Sequence, residues 1–309
     1  MCVMTEAIES FECFGSRVNV IVMGEGDAGS PAAAARLAKG MLLDWHSQFS
    51  RFEPGSELSR LNADPHPTVA VGRVMVELVR ATILAAEQSG GLVDATMIAE
   101  IEAAGYVEDL ATPALGLSEA LAIAPARRPA APSAHQRWRQ VAFDGEAGTV
   151  TRPAGVRFDS GGIAKGLFGD ILAGLLASHA SFAIDCAGDL RLGGRAELER
   201  PVLVENPFDG ATIHSFALSS GAVATSGIGR RSWLTRDGEP AHHLLDPSSG
   251  RPAFTGIVQV TAIAPNGVEA EWRTKAALLS GPERALTWLP HGGLIVFDDG
   301  SFSLATAAR

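Results

Sequence analysis

The 309-residue chain reads as an α+β protein. Three observations predict that class. Apolar residues recur at helical spacing through 31–48, 70–89 and 269–280. They alternate at strand spacing from Arg17 to Met23, and other short apolar runs read as further strands. Turn residues around Asp144–Gly148 and Asp299-Gly300 join neighbouring strands as hairpins. Hydrophobic residues are 46% and charged residues 19%, which suits a packed globular chain and excludes a disordered one.

Residues 11–23 read as the first strand, with Val18, Val20 and Val22 on one face and Asn19 and Ile21 on the other. Gly24, Gly26 and Gly29 then match G-x-G-x-x-G, and Asp44 follows Gly24 by 20 residues. That is the pattern of a dinucleotide-binding turn. The context opposes it, because Leu37, Met41, Asp44, Trp45 and Gln48 continue one helix where a second parallel strand is required. Residues 49–62 are polar, with a turn at Pro54-Gly55 and a short helix after Ser56. The amphipathic helix over 70–89 ends at Gly90-Gly91. Asp94 and Thr96 follow in a loop, where Asp94 either caps a helix over 97–104 or faces a ligand.

Residues 107–135 are rich in Ala, Pro and Arg. The stretch near 123–135 either joins two halves, 11–135 and 136–305, or loops out of one domain spanning 1–309. A hairpin of strands 139–143 and 149–151 comes next. A strand at 156–158 leads into Asp159–Gly166, DSGGIAKG, and a helix over 167–178. Strands follow at 181–185, 201–205, 213–218, 222–227 and 257–264, with a tight turn at Ala187-Gly188-Asp189. Helices at 269–280 and 283–289 and a hairpin over 292–304 complete the chain.

The net charge is −10 and the pI about 5.3. No basic stripe is present, which argues against nucleic acid as a partner. Arg127-Arg128 and Arg230-Arg231 are too short to change that. No run of about 18 apolar residues occurs, so no membrane insertion is expected. Three cysteines (Cys2, Cys13, Cys186) and no secretory signal point to the cytoplasm.

Several turns at strand ends carry chemistry-bearing residues. In DSGGIAKG, Gly161 and Gly162 let a ligand approach the backbone, and the amides opening the next helix suit a phosphate. Asp159 and Lys165 bracket this turn. The plain alternative is a tight strand-to-helix connection. Asp189, Ser226 and the pair His243 with Asp246 lie in similar positions. His243 is either a general base or a structural histidine, and Asp246 either orients it or starts the turn at Pro247. No G-x-S-x-G elbow and no P-loop are present.

DSGGIAKG, then CAGD, ATSG and HHLLDPSSGRPA in that order resemble the ApbE family of FAD:protein FMN transferases, whose patterns are DLGGIAKG, GGD, TSG and HIIDPxTG. FSRFEPGSELSRLN and GLVDAT resemble its earlier segments, so the likeness spans roughly 11–305. It implies an α+β, T-fold-like architecture with a flavin cleft between two sheet-containing halves. It implies FAD and Mg²⁺, and transfer of FMN to a Ser or Thr hydroxyl of a target flavoprotein with release of AMP. Carried over by position, Phe14, Phe52, Leu92, Val93, Asp94, Asp159, Lys165 and Leu245 would hold FAD. His243 would be the base, and Lys165 would supply positive charge to the diphosphate.

The chain departs from the family at the metal site, which resembles AD-x-x-x-T plus a loop carbonyl, here that of Gly162. Glu271 stands for the Asp and Lys275 for the Thr. Thr274 is next door but turned by about 100° on a helix. Three outcomes are open. Mg²⁺ persists on Glu271, the loop carbonyl and phosphate oxygens; or Lys275 replaces it; or transfer is lost and a flavin-binding or storage protein remains. Lys275 turned outward, or paired with Glu271, is the plain structural reading. An NAD-dependent oxidoreductase built on Gly24–Gly29 is the most distant reading.

Overall fold

The computed structural model describes residues 5–108 and 115–307. The expectations for Cys2 and for 109–114 lie outside those residues. Its centre is an eight-stranded antiparallel sheet. The spatial order is Glu6–Cys13, Ser16–Met23, Ser181–Cys186, Asp189–Gly193, Gly221–Gly227, Ile257–Ala264, Gly293–Phe297 and Phe302–Ala305. Helices cover one face, so the α+β class holds. Smaller sheets of two or three strands lie around it.

The alternation read at Arg17–Met23 sets the register. Val18, Val20 and Val22 are fully buried and pair with Cys186, Ile184 and Phe182. Their face packs under the Pro31–Phe49 helix through Ala34, Ala38 and Leu42. That helix is capped by Ser30 and runs unbroken through Trp45. With an antiparallel sheet and no second parallel strand there, the dinucleotide-binding reading fails; Gly26 and Gly29 only close a small bridged turn.

The Ala164–Leu176 and Gly267–Ser280 helices cross at very close range. A Cβ on Gly166 would stand 2.4 Å from the Gly267 carbonyl oxygen, and one on Gly267 would stand 2.5 Å from that of Gly166. Asp170 fixes the crossing by accepting from the Gly267 and Val268 amides at 2.8 and 3.0 Å. Gly166→Ala should therefore force the helices apart and cost about 1–3 kcal/mol. A denaturant melt checks this; an unchanged midpoint would show that the crossing yields freely.

Five expectations need correction. The single strand expected over 11–23 is two, Glu6–Cys13 and Ser16–Met23, paired as a hairpin that turns at Phe14-Gly15. Residues 156–158 form no strand; the Phe158 amide and carbonyl are bonded to the Asn62 side chain at 2.7 and 2.9 Å. The following helix begins at Ala164, not Leu167, so Lys165 lies in its first turn. The first hairpin strand is Ala142–Asp144, preceded by a 3₁₀ turn at Arg137–Gln140. Asp94 caps no helix: the Ile98–Ala103 helix starts without a side-chain cap, and Asp94 accepts from the Thr96 amide and hydroxyl at 2.8 and 2.6 Å.

Candidate flavin-diphosphate site

One cavity collects most of the residues named above. Phe14, Phe52, Leu92, Val93, Asp94, Asp159, Gly162, Lys165, His243, Leu245 and Lys275 all line it. Asp246, Glu271 and Thr274 do not. The walls come from distant stretches: the first hairpin turn, the end of the 31–49 helix, the 92–97 loop, the Gly161-Gly162 turn and the 243–247 turn.

One end is aromatic and apolar. Phe14 sits in the hairpin turn at φ 56°, followed by Gly15 at 70°. This places its ring 6.0 Å from Phe168, in a stacked arrangement. Phe52 meets Tyr106 edge-on at 5.5 Å, and Tyr106 stacks on Trp233 at 5.4 Å. Such a wall suits a flat ring system.

The wall also carries cations. Arg51, Lys165, Arg231 and Lys275 reach the cavity, in a chain whose net charge is −10. Arg51 lies 4.2 Å from the centre of the Phe52 ring, and its Nε pairs with Asp159 at 3.3 Å. Asp159 also accepts from the Gly161 amide at 2.8 Å and so sets the turn. Ser160 anchors the same turn by donating to the Phe49 carbonyl at 2.6 Å.

Behind the Gly161-Gly162 turn lies a buried charge cluster. Lys165 Nζ pairs with Asp189 at 2.5 Å. Burial works against the Lys165 ammonium, but the charges of Asp189 and Glu271 outweigh it and raise its pKa above the ordinary lysine value. Burial likewise disfavours the Asp189 carboxylate, yet Lys165 and Lys275 hold its pKa below the usual range. Glu271 is pushed up to about 7 by burial, partly offset by Lys275. Its Oε2 accepts from the Gly166 amide at 2.9 Å, so this helix-opening amide is already engaged.

Lys275 points inward. Its Nζ lies 3.8 Å from Glu271 Oε1, 3.3 Å from the Glu271 carbonyl and 3.4 Å from Ser226 Oγ. The Thr274 hydroxyl is occupied by the Glu271 carbonyl at 2.8 Å and Ser226 at 2.7 Å. These residues do not fit Mg²⁺. The ion needs near-octahedral oxygens at about 2.0–2.1 Å, whereas an ammonium already stands among the oxygens here. Among the described residues no three His, Cys, Asp or Glu side chains converge as a metal site.

His243 lines the cavity with Nδ1 buried and without a hydrogen-bond partner among the described residues. Burial first, then the charges of Arg231, His242 and Lys275, holds its pKa well below 6.5. The imidazole is therefore neutral at pH 7 and can accept a proton. Asp246 does not position it. Its carboxylate accepts from the Ala131 amide, from Ser248 and from Ser249 at 2.8–3.0 Å. That is the turn-starting role, and it also ties down the 123–135 loop.

The neighbouring His242 is 1% exposed and accepts from the Leu244 amide at 3.3 Å. Burial lowers its pKa from 6.5 to about 3. The unfolded chain takes up a proton below pH 6.5 that the folded chain refuses until about pH 3. Stability is thus full above pH 6.5 and falls with acid, by about 2 kcal/mol at pH 5 from this residue. Denaturant melts at pH 7 and 5 should show that loss, and His242→Asn should flatten it. An equal acid slope in the variant would assign the loss elsewhere.

Sequence reasoning missed Arg51, Tyr106 and Arg231. Arg51 was adjacent to Phe52 but carried no pattern of its own. Arg231 belonged to a pair judged only as a nucleic-acid signal.

The model of the ApbE family matches residues 14–297. The chain is 28% identical over 251 residues to the FAD:protein FMN transferase of Treponema pallidum (strain Nichols), covering 76% of this chain and 67% of that one. It is 24% identical over 301 residues to that of Klebsiella pneumoniae (strain 342), covering 95% and 84%. The crystal structure of the ApbE protein from Thermotoga maritima matches with TM-score 0.79 and 25% identity over 97% of both chains. The flavin transferase ApbE from Vibrio cholerae shares the fold, with TM-score 0.74 at 19% identity over 99% of this chain and 98% of that one. With its motifs, its sheet and nearly its whole length matched, this chain belongs to the ApbE family.

Proposed function

We propose that the chain is an FAD:protein FMN transferase acting on a flavoprotein that presents a Ser or Thr hydroxyl. The carrying observation is one cavity with an aromatic end, four cations and a neutral histidine. Phe14, Phe52, Leu92, Val93 and Leu245 hold the rings of FAD, and Lys165, Arg51 and Arg231 face its diphosphate. Asp94 and Asp159 shape the polar edge. The acceptor oxygen attacks the FMN phosphorus, and the P–O bond to the AMP phosphate breaks. AMP leaves with the bonding electron pair, and His243 takes the hydroxyl proton. Fixed positive charge stabilises the negative charge that develops on the phosphate oxygens.

The two sequence segments, 11–135 and 136–305, work as one unit in this reading, supported by a sheet that draws strands from both. Among the described residues no helix is long and apolar enough to cross a membrane. A cytoplasmic setting is part of the proposal; Cys13 and Cys186 are buried free thiols, as a reducing compartment keeps them. The test is AMP release followed by chromatography. AMP should form only when the chain, FAD and a hydroxyl-bearing acceptor domain are together. AMP formed equally without an acceptor would indicate hydrolysis instead.

A further inference from the structure

A lysine ammonium on a buried helix face must place three N–H donors. Lys275 directs two of them at the Ser226 hydroxyl and the Glu271 carbonyl, at 3.4 and 3.3 Å. The Glu271 carboxylate, at 3.8 Å, is beyond hydrogen-bond reach, although it supplies countercharge. The third donor is left for a ligand. The side chain is 12% exposed, and that exposure is to the cavity.

The stem is held as well. It crosses the Gly161-Gly162 turn, where a Cβ on Gly162 would stand 3.3 Å from Lys275 Cε. Gly162 thus makes room for the lysine. Glu271 is locked by the Gly166 amide and is 1% exposed. Its other oxygen, Oε1, is buried with no hydrogen-bond donor among the described residues. The Lys275 ammonium, 3.8 Å away, stands beside that oxygen as its countercharge.

We propose that Lys275 is a built-in cation at the diphosphate end of this site, so that the chain binds FAD without a divalent metal. The proposal rests on the FAD-transferase reading and goes beyond it. It selects one of the outcomes left open by Glu271 and Lys275. The third ammonium N–H donates to a phosphate oxygen, and the positive charge is supplied by the chain itself.

The experiment titrates the full chain with FAD by calorimetry, in EDTA and in millimolar Mg²⁺. The expected affinities agree within about twofold, and Lys275→Met in EDTA should bind at least about tenfold more weakly. FAD affinity that collapses in EDTA and returns with Mg²⁺ overturns the proposal and leaves the FAD reading standing. No FAD binding in either buffer fails that reading, and the proposal with it. A Lys275→Met variant that binds FAD as the parent does also overturns it. A second measurement needs no flavin: Mn²⁺ titrated into the unsubstituted chain and followed by electron paramagnetic resonance. No stoichiometric site is expected. One bound Mn²⁺ that Glu271→Gln abolishes would contradict the proposal.

Discussion

FMN transfer should fall by about 10²–10⁴-fold in His243→Gln, while FAD affinity and the melting midpoint stay near those of the parent. Glutamine keeps a polar side chain of similar reach but cannot take a proton. The parent imidazole is neutral at pH 7 because burial, first of all, and the nearby charges of Arg231 and Lys275 disfavour its charged form. By itself it is a weak base. A bound diphosphate brings negative charge close and raises its pKa toward the working pH. The transfer rate should accordingly fall on the acid side of a single ionisation, and that limb should vanish in the variant. A variant that transfers at the parental rate would remove His243 from the chemistry.

The second large effect concerns Lys165. Lys165→Met leaves the Asp189 carboxylate, 7% exposed, without its 2.5 Å partner. Breaking one side of a buried ion pair costs about 3–5 kcal/mol. The double variant Lys165→Met with Asp189→Asn should recover much of that stability, because no lone charge stays buried. It should not recover FAD affinity, which falls by about 10–100-fold once the ammonium is gone. Melts and calorimetry on the three variants separate the two roles. Equal FAD affinity in the double variant would confine Lys165 to structure.

Local pattern carried much of the fold. Alternation gave the face of Val18, Val20 and Val22, and helical spacing ran past Asp44, which was enough to reject the dinucleotide turn. What failed depended on distant partners. Residues 156–158 have strand-forming side chains, but their backbone is bonded to Asn62, 96 positions away. The Glu6–Cys13 strand went unread before Phe11 because an edge strand with exposed glutamates shows little apolar alternation. At the site, turns with glycines and paired charges were legible as turns. Their convergence was not, since Lys165 meets Asp189 across a helix, a strand and a turn. The family likeness brought most lining residues together, but it gave no direction for Lys275, which only packing against Gly162 and Ser226 decides.

The central claim is transfer of FMN to a protein hydroxyl. Intact-mass spectrometry of an acceptor domain bearing one exposed Thr, after incubation with FAD and this chain, tests it most directly. The account predicts an acceptor heavier by one FMN, formed in EDTA as well as in Mg²⁺, and absent when that Thr is changed to Val. An acceptor of unchanged mass beside a chain that still binds FAD, repeated with a second acceptor, would contradict it and leave a flavin-binding protein.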